Sequence, residues 1–592
     1  MNASTLQARV LVDELIRCGI TDFVLSPGSR SAPLAFALAA AEKRGEIFLH
    51  VRIDERSAGY LALGLGKVTG VPAVVVTTSG TAAINLHPAV VEADHSNIPL
   101  IVLTADRPPV LRGVGANQTI AQADIFGTSV RLTVDMAVAV SGDQEIRYWR
   151  STMSRVVAAS TDAWHPGPVH VNMPFADPLV PDVLDEDAPA TALGGRTDGR
   201  ADGRPWTADA RFVAGLSTPL DDVIGVIMED NQCPARGIII VGDHADSEFM
   251  GLIDDLGDAL GWPIIGEPSG NVSDCDTSLS HGALILADAD FAAAHVPDVV
   301  ITVGRVGLSR AVLRLVAKSP LHIAVDPQAQ WSDPTRSADI VIAGVPLPPE
   351  NALVDPDWLD AWQRADVLTA AAVETALAAF GDQLTGMHVA RLTCSAVPSA
   401  GMLFLGASSQ VRHVFNLAST FIGEAIVMGN RGTSGIDGTL SSAWGAATAL
   451  QRDDAADDPT WAIALVGDQT FLYDSNALLV PATETRPNLV IVVSDNDGGG
   501  IFSQLEQGEA RFADSFDRVF AVPLGADVGA IAAALQVPTQ VAQTAPELMV
   551  ALDTAIAAGG VQVVVARTCS RVAEAEAWRA VLEAVQAALG SA

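Results

Sequence analysis

Two stretches decide the fold of this chain: W-A-I-A-L-V-G-D-Q-T (461–470) and L-V-I-V-V-S-D-N-D-G-G-G (489–500). Each opens with a short apolar run of the kind found in strands buried on both faces of a parallel sheet. Each closes on Gly, Asp or Asn, at the carboxyl edge where open α/β sheets bind their ligands. Asp468 and Asn496 lie 28 residues apart, the length of one strand–helix–strand unit, so both belong to the same edge. A carboxylate, an amide oxygen and glycine carbonyls are hard donors. They suit a divalent ion such as Mg²⁺ that completes its shell with water or phosphate oxygens. Ordinary βα turns are also rich in Asp, Asn and Gly, and the residues alone leave the two readings even.

The same rhythm extends outward. I-F-L-H-V-R-I (47–53), V-P-A-V-V-V-T-T (71–78) and L-I-V-L-T-A (100–105) read as strands, with Ala58, Leu61, Ala62 and Leu65 at helical spacing between the first two. G-I-I-I-V-G (237–242), V-V-I-T-V-G (299–304) and H-I-A-V-D (322–326) repeat it in the middle. Residues 181–210, rich in Gly, Pro and Asp, read as a linker, and 343–357 form a second, Pro-rich break. The expectation is an α/β protein of three doubly wound parallel-sheet domains, at 1–185, 205–350 and 370–592.

Composition narrows the function. The chain has 592 residues and a formal net charge of −35; only Lys43, Lys67 and Lys318 are lysines, so nearly all of its 35 cations are arginines. Such a chain repels nucleic acid. No apolar run reaches the roughly 18 residues of a membrane span, and the N-terminus reads as an amphipathic helix, not a signal peptide. Five scattered cysteines form neither a disulfide framework nor a C-x-x-C motif. The expected location is the cytoplasm.

The Gly-Asp-x…Asn spacing resembles the diphosphate-binding signature of thiamin-diphosphate enzymes, with Gly-Asp-Gln in place of the common Gly-Asp-Gly and Asp495-Asn496 in place of Asn-Asn. That resemblance implies Mg²⁺ (or Mn²⁺) held by Asp468, Asn496 and the Gly498 carbonyl. Thiamin catalysis also needs a carboxylate beside the cofactor's pyrimidine ring. Glu55 follows a strand and opens a small-residue helix, with Asp54 a competing candidate; an acid in a first helical turn can equally just complement the helix dipole.

Seven motifs narrow the resemblance further: S-P-G-S-R-S-A-P-L (26–34), D-E-R-S-A-G-Y-L-A-L-G (54–64), T-S-G-T-A (78–82), T-A-D-R-P-P (104–109), G-A-N-Q-T-I (115–120), G-N-R-G-T-S-G-I-D-G (429–438) and G-G-G-I-F (498–502). In this order they resemble the 2-succinyl-5-enolpyruvyl-6-hydroxy-3-cyclohexene-1-carboxylate synthase family, thiamin-dependent transferases of menaquinone biosynthesis. The resemblance implies a pyrimidine-binding domain, a central domain without cofactor and a diphosphate-binding domain. It also implies a homo-oligomer in which Glu55 of one chain faces the Asp468–Asn496 site of another. The implied reaction decarboxylates 2-oxoglutarate and adds the four-carbon unit to isochorismate. Catalysis falls to Glu55, and cofactor contacts to Asn430, Gly432, Ser434, Ile436, Asp468, Gln469, Thr470 and Asn496. Substrate contacts fall to Ser29, Arg30, Arg107, Gln118, Arg310, Ser408, Arg412, Arg431, Ile501 and Phe502, with Arg305 a rival to Arg310. Both substrates are dicarboxylates, which arginine forks bind in bidentate fashion.

Competing readings are a different thiamin-dependent 2-oxoacid decarboxylase or an acetolactate-type carboligase, and, in another class, a nucleotide-dependent oxidoreductase. G-D-H (242–244) lacks the G-x-G-x-x-G fingerprint, no H-E-x-x-H pair occurs, and no G-x-S-x-G sits at a strand–helix elbow.

Overall fold

The computed structural model describes residues 2–140, 143–181, 199–207, 219–225, 233–244, 249–349, 352–452 and 459–590. Most of the expected linker, at 182–198 and 208–210, lies outside the described residues. Among the described residues seventeen strands form three sheets in which every neighbouring pair is parallel. The first contains β1 (Asp22–Leu25), β2 (Phe48–Val51), β3 (Ala73–Thr77), β4 (Leu100–Asp106), β5 (Thr133–Asp135) and β6 (Pro168–Pro174), ordered β2-β1-β3-β4-β6-β5. The second contains β7 (Gly237–Val241), β8 (Ile264–Gly266), β9 (Val299–Val303), β10 (Leu321–Val325) and β11 (Ile340–Ile342), ordered β11-β10-β9-β7-β8. The third contains β12 (Met402–Leu405), β13 (Ile426–Gly429), β14 (Ala462–Gly467), β15 (Leu489–Asp495), β16 (Thr539–Ala542) and β17 (Val561–Arg567), ordered β13-β12-β14-β15-β17-β16.

The first and third sheets therefore share one winding. In each, the chain steps outward from its first strand to its second, then returns to lay the third on the opposite side. That reversal opens a crevice at the carboxyl ends of β1 and β3, and again at β12 and β14. Every strand expected from sequence is present. The stretches at 47–53 and 71–78 contribute only Phe48–Val51 and Ala73–Thr77, the second beginning after Pro72, which has no N–H to give a ladder.

By contacts, the chain divides into two compact units. One is Met1–Val213 with Asn430–Ala455 and Tyr473–Pro487; the other is Ala214–Gly429 with Ala456–Leu472 and Asn488–Ala592. In the first unit, Phe23, Val74, Val76, Ile101, Leu103, Val169 and Val171 pack with Leu11 and Leu15 of helix Ala3–Arg17 and with Trp149 and Met153 of helix Asp143–Ser160. On the sheet's other face, helix Glu55–Thr69 buries Ala58 through Gly66. It meets helix Thr439–Leu450 backbone to backbone: a Cβ on Gly64 would overlap the Ser442 carbonyl, and one on Gly445 the Leu61 carbonyl.

In the second unit, helix Pro356–Ala378 and the C-terminal helix Arg571–Leu589 pack together beside a core shared by the second and third sheets, including Ile240, Val300, Trp362, Leu403, Ile463, Val490 and Val564. The reversal point of the second sheet, between β7 and β9, is closed by the chain itself. Asp243 and Arg305 exchange backbone hydrogen bonds of 3.0 and 2.9 Å, and a Cβ on Gly242 would overlap the Arg305 carbonyl. The buried Glu267 carboxylate accepts the N–H groups of Gly307 (2.7 Å) and Leu308 (2.6 Å), just ahead of helix Arg310–Val316. No helix among the described residues is long and apolar enough to cross a membrane.

Candidate active site

At the β1/β3 crevice the loop Ser26–Arg30 lies on Thr78-Ser79-Gly80; a Cβ on Gly28 would overlap the Thr78 side chain. Ser29 is exposed there. Arg107 follows β4 and is 9% exposed. Its guanidinium donates to Ser79 Oγ, to the Gln118 carbonyl (3.0 Å) and to Gln118 Oε1 (3.4 Å). Its backbone N–H donates to Asp106 Oδ1 at 2.7 Å. The fully buried Asp106 is in turn held by Asn172 Nδ2 and Arg112.

Arg30 donates to the Phe175 carbonyl at 2.9 Å and lies 3.5 Å from Asp177, while its buried Nε has no hydrogen-bond partner among the described residues. Burial, and then the neighbouring Arg30 charge, hold the Arg107 guanidinium below its usual range. Ser29, Arg30, Arg107 and Gln118 thus gather at one sheet edge, where Asp106 and Asp177 lie beside the two guanidiniums. Guanidinium forks of this kind suit an incoming carboxylate.

The same unit carries Glu55. Asp54 caps its helix, accepting from the Arg56 N–H at 2.9 Å and the Ser57 N–H at 3.4 Å, and also accepts from Asn476 at 3.0 Å. Asp54 is therefore committed to the helix end, whereas among the described residues the Glu55 carboxylate receives only the Asn85 amide, at 3.2 Å.

The loop 430–438 is held against this helix and its neighbour. Tyr60 donates to Asp437 at 2.8 Å, and a Cβ on Gly438 would overlap the Tyr60 ring. The buried Glu92 carboxylate takes the N–H groups of Gly432 (2.7 Å) and Thr433 (2.6 Å) and the Thr433 hydroxyl (2.6 Å). Asn430 is 5% exposed; its amide donates to Ser442 while its buried Oδ1 has no hydrogen-bond partner among the described residues. Ile436 is half-buried, Ser434 is exposed at φ 56°, and Arg431 is half-buried with no ion pair among the described residues. Glu92 escapes sequence reasoning, its only signal being a lone acid within the apolar helical stretch P-A-V-V-E-A.

In the other unit, β14 delivers Asp468 at 6% exposure. Its two oxygens accept the Gln469 N–H (2.8 Å) and the Gly498 N–H (2.6 Å). Burial first, then Asp495 and Asp497, push its carboxyl up to about 6 against those two hydrogen bonds. β15 delivers Asn496, whose side chain forms no hydrogen bond among the described residues and lies across Gly500, where a Cβ would overlap it. Thr470 is buried beside Asp468.

Helix Ser409–Leu417 sets Gln410 against Gly467 and carries Arg412, which donates to the Ser408 carbonyl at 2.7 Å. Ser408 itself sits at φ 78°. Ile501 and Phe502 occupy a half-buried turn, with the Phe502 ring 5.7 Å from that of Phe520. Arg310 stands exposed at the edge of the second sheet, and Arg305 there is half-buried.

The residues fit the groups expected of them. Among the described residues no three His, Cys, Asp or Glu side chains gather into a metal site. What the third sheet offers is one desolvated carboxylate, one unengaged amide and glycine backbone, a set that leaves room for phosphate and water on a hard ion. A cation at Asp468 would remove the cost of its burial. The orphaned Asn430 oxygen is a waiting acceptor, as an aminated ring would require.

Similarity to known proteins identifies the family. The N-terminal TPP binding domain of thiamine pyrophosphate enzymes matches residues 7–127, and the C-terminal TPP binding domain matches 425–566. Three relatives are each named 2-succinyl-5-enolpyruvyl-6-hydroxy-3-cyclohexene-1-carboxylate synthase. That of Saccharopolyspora erythraea is 44% identical over 93% of this chain and 94% of its own. That of Thermobifida fusca is 42% identical over the whole of both chains. That of Mycobacterium tuberculosis is 41% identical over 91% of this chain and 93% of its own. Identity at this level, sustained across all three sheets, means that the chain belongs to the 2-succinyl-5-enolpyruvyl-6-hydroxy-3-cyclohexene-1-carboxylate synthase family.

Proposed function

We propose that the protein uses thiamin diphosphate and Mg²⁺, or Mn²⁺ in its place, to decarboxylate 2-oxoglutarate and join the four-carbon unit to isochorismate in menaquinone biosynthesis. The observation that carries this reading is the 42% identity along the entire chain to a relative named for that product. In this reading 1–185 is the pyrimidine-binding domain, 205–350 the central domain and 370–592 the diphosphate-binding domain.

Bound thiamin diphosphate supplies a thiazolium ring that takes up the electron pair released on decarboxylation. Asp468, Asn496 and the Gly498 carbonyl hold the metal; Asn430, Gly432, Ser434, Gln469 and Thr470 line the cofactor's place, and Ile436 props it. Glu55 holds the proton relay, its carboxylate kept apart from the cap that occupies Asp54. Arg30 and Arg107, with Ser29 and Gln118, receive a substrate carboxylate, and Arg412, Arg431 and Arg310 are the further cations offered to the two diacids. Ser408, Ile501 and Phe502 complete the substrate contacts.

The reading is tested by incubating the protein with 2-oxoglutarate, isochorismate, thiamin diphosphate and Mg²⁺ and following the product by mass. Turnover of pyruvate in place of 2-oxoglutarate would overturn it. Glu55→Gln is expected to lower kcat by roughly 10²–10⁴ while leaving the thermal melt unchanged. Sites shared between subunits predict that mixing inactive Glu55→Gln and Asp468→Asn chains recovers activity; no recovery on remixing refutes a shared site.

A further inference from the structure

The Asn496–Gly499 backbone, which presents the expected metal donors, is gripped from two sides: by Arg571, which the chemistry above does not use, and by Gln469, which it places only along the cofactor. From one side comes Arg571, the first residue of helix Arg571–Leu589. Its guanidinium donates to the Asn496 carbonyl at 3.3 Å and to the Asp497 carbonyl, and pairs with Asp517 at 2.9 Å. A cation in the first turn of a helix opposes the helix dipole, so this arginine sits where local electrostatics disfavour it and its gain lies in the loop it holds.

From the other side comes Gln469, the residue that departs from the common Gly-Asp-Gly. Its Nε2 donates to the Ala521 carbonyl at 3.1 Å, and that same oxygen accepts the Gly499 N–H at 2.7 Å. Between the two grips, Asp497 is held at φ 54°, a conformation uncommon for a residue with a Cβ. Its carboxylate accepts the N–H groups of Leu524 (3.1 Å) and Gly525 (2.9 Å). The segment 517–525 is thereby fastened to the loop at Asp517, Ala521, Leu524 and Gly525, while the Asn496 side chain is left without a hydrogen bond among the described residues.

We propose that Arg571 and Gln469 are positioning residues that set the divalent-metal affinity of the Asp468–Asn496 site by fixing this backbone before the ion arrives. The proposal rests on the reading of that site as the metal site. Neither residue touches the ion. Arg571 engages the Asn496 and Asp497 carbonyls, and Gln469 ties the strand end carrying Asp468 to the oxygen that also anchors Gly499. A loop assembled in advance spares the ion the ordering of that loop, and loss of outer partners of this kind costs metal sites roughly 10–100-fold in affinity.

The experiment is calorimetric titration of Mg²⁺ into the full chain with saturating thiamin diphosphate, alongside steady-state kinetics against Mg²⁺. Arg571→Met is expected to weaken Mg²⁺ about tenfold with kcat at saturating metal within about twofold of wild type. Arg571→Lys should recover part of the loss, through one donor where there were several. Gln469→Met should weaken Mg²⁺ a few-fold, and it carries the test if Arg571→Met fails to fold. Unchanged isotherms in Arg571→Met and Gln469→Met, with binding lost in Asp468→Asn, would overturn the proposal and leave the metal site standing. An unchanged isotherm in Asp468→Asn would remove the site itself. A fall in kcat at saturating Mg²⁺ with unchanged metal affinity would also overturn it.

Discussion

The first and third sheets have the same strand order, 2-1-3-4-6-5 within each, yet their carboxyl edges present different groups, a pair of arginines at one and a buried carboxylate at the other. At the β1/β3 crevice burial, and then the neighbouring Arg30 charge, disfavour the ionised form of Arg107. At the end of β14 a carboxylate is raised by its burial and then by the acids around it. One winding has been given two complementary edges, one suited to anions and one to a cation. In a chain of net charge −35 the long-range field attracts neither dicarboxylates nor a diphosphate, so recognition has to be local.

Substitutions that disable one edge and spare the other would break this comparison. Asp468→Asn, the largest effect, should weaken Mg²⁺-dependent thiamin diphosphate binding by more than about 100-fold in calorimetry, beyond what loss of an outer partner costs. Its KM for 2-oxoglutarate at saturating cofactor should change little; a joint loss of both would mean the two edges are not separable. Arg107→Gln should do the reverse. Losing a charge-assisted bond worth about 1.5–3 kcal/mol should raise a substrate KM roughly 10–150-fold with cofactor affinity preserved.

The smallest effect concerns stability. His170, bonded to Thr104 at 2.7 Å behind the Arg107 edge, is driven by burial down to about 4 from 6.5. A histidine held neutral in the fold gives its full stability above pH 6.5. That stability is lost as pH falls towards 4, by up to on the order of 3 kcal/mol. His170→Gln should therefore flatten the dependence of Tm on pH between 6.5 and 4, and an unaltered slope would assign acid sensitivity elsewhere.

What the sequence made legible follows from how local each cause is. β3, β9 and β15 announce themselves as unbroken β-branched runs because both faces are buried. The short β5, β11 and β13 do not, being three or four residues long with partly exposed positions. Asp468 and Asn496 are readable because a strand–helix–strand unit fixes their spacing. The contest between Asp54 and Glu55 is not, since capping depends on which carboxylate turns back onto the helix. Glu92 is beyond reach from sequence: its partners, Gly432 and Thr433, lie 340 and 341 residues away. Asp474, pushed up to about 6 by burial and answered by Ser441 and Ser57, is hidden for the same reason.

The second sheet retains a reversal point between β7 and β9, but Asp243 and Arg305 have sewn its crevice shut and Glu267 fills the amide cradle of Gly307 and Leu308. A nucleotide phosphate seeking that cradle would have to evict a buried carboxylate and unzip two backbone bonds before making its first contact. The chain has become its own competitive inhibitor there, and a fold with the topology of a receptor is left free to serve as masonry.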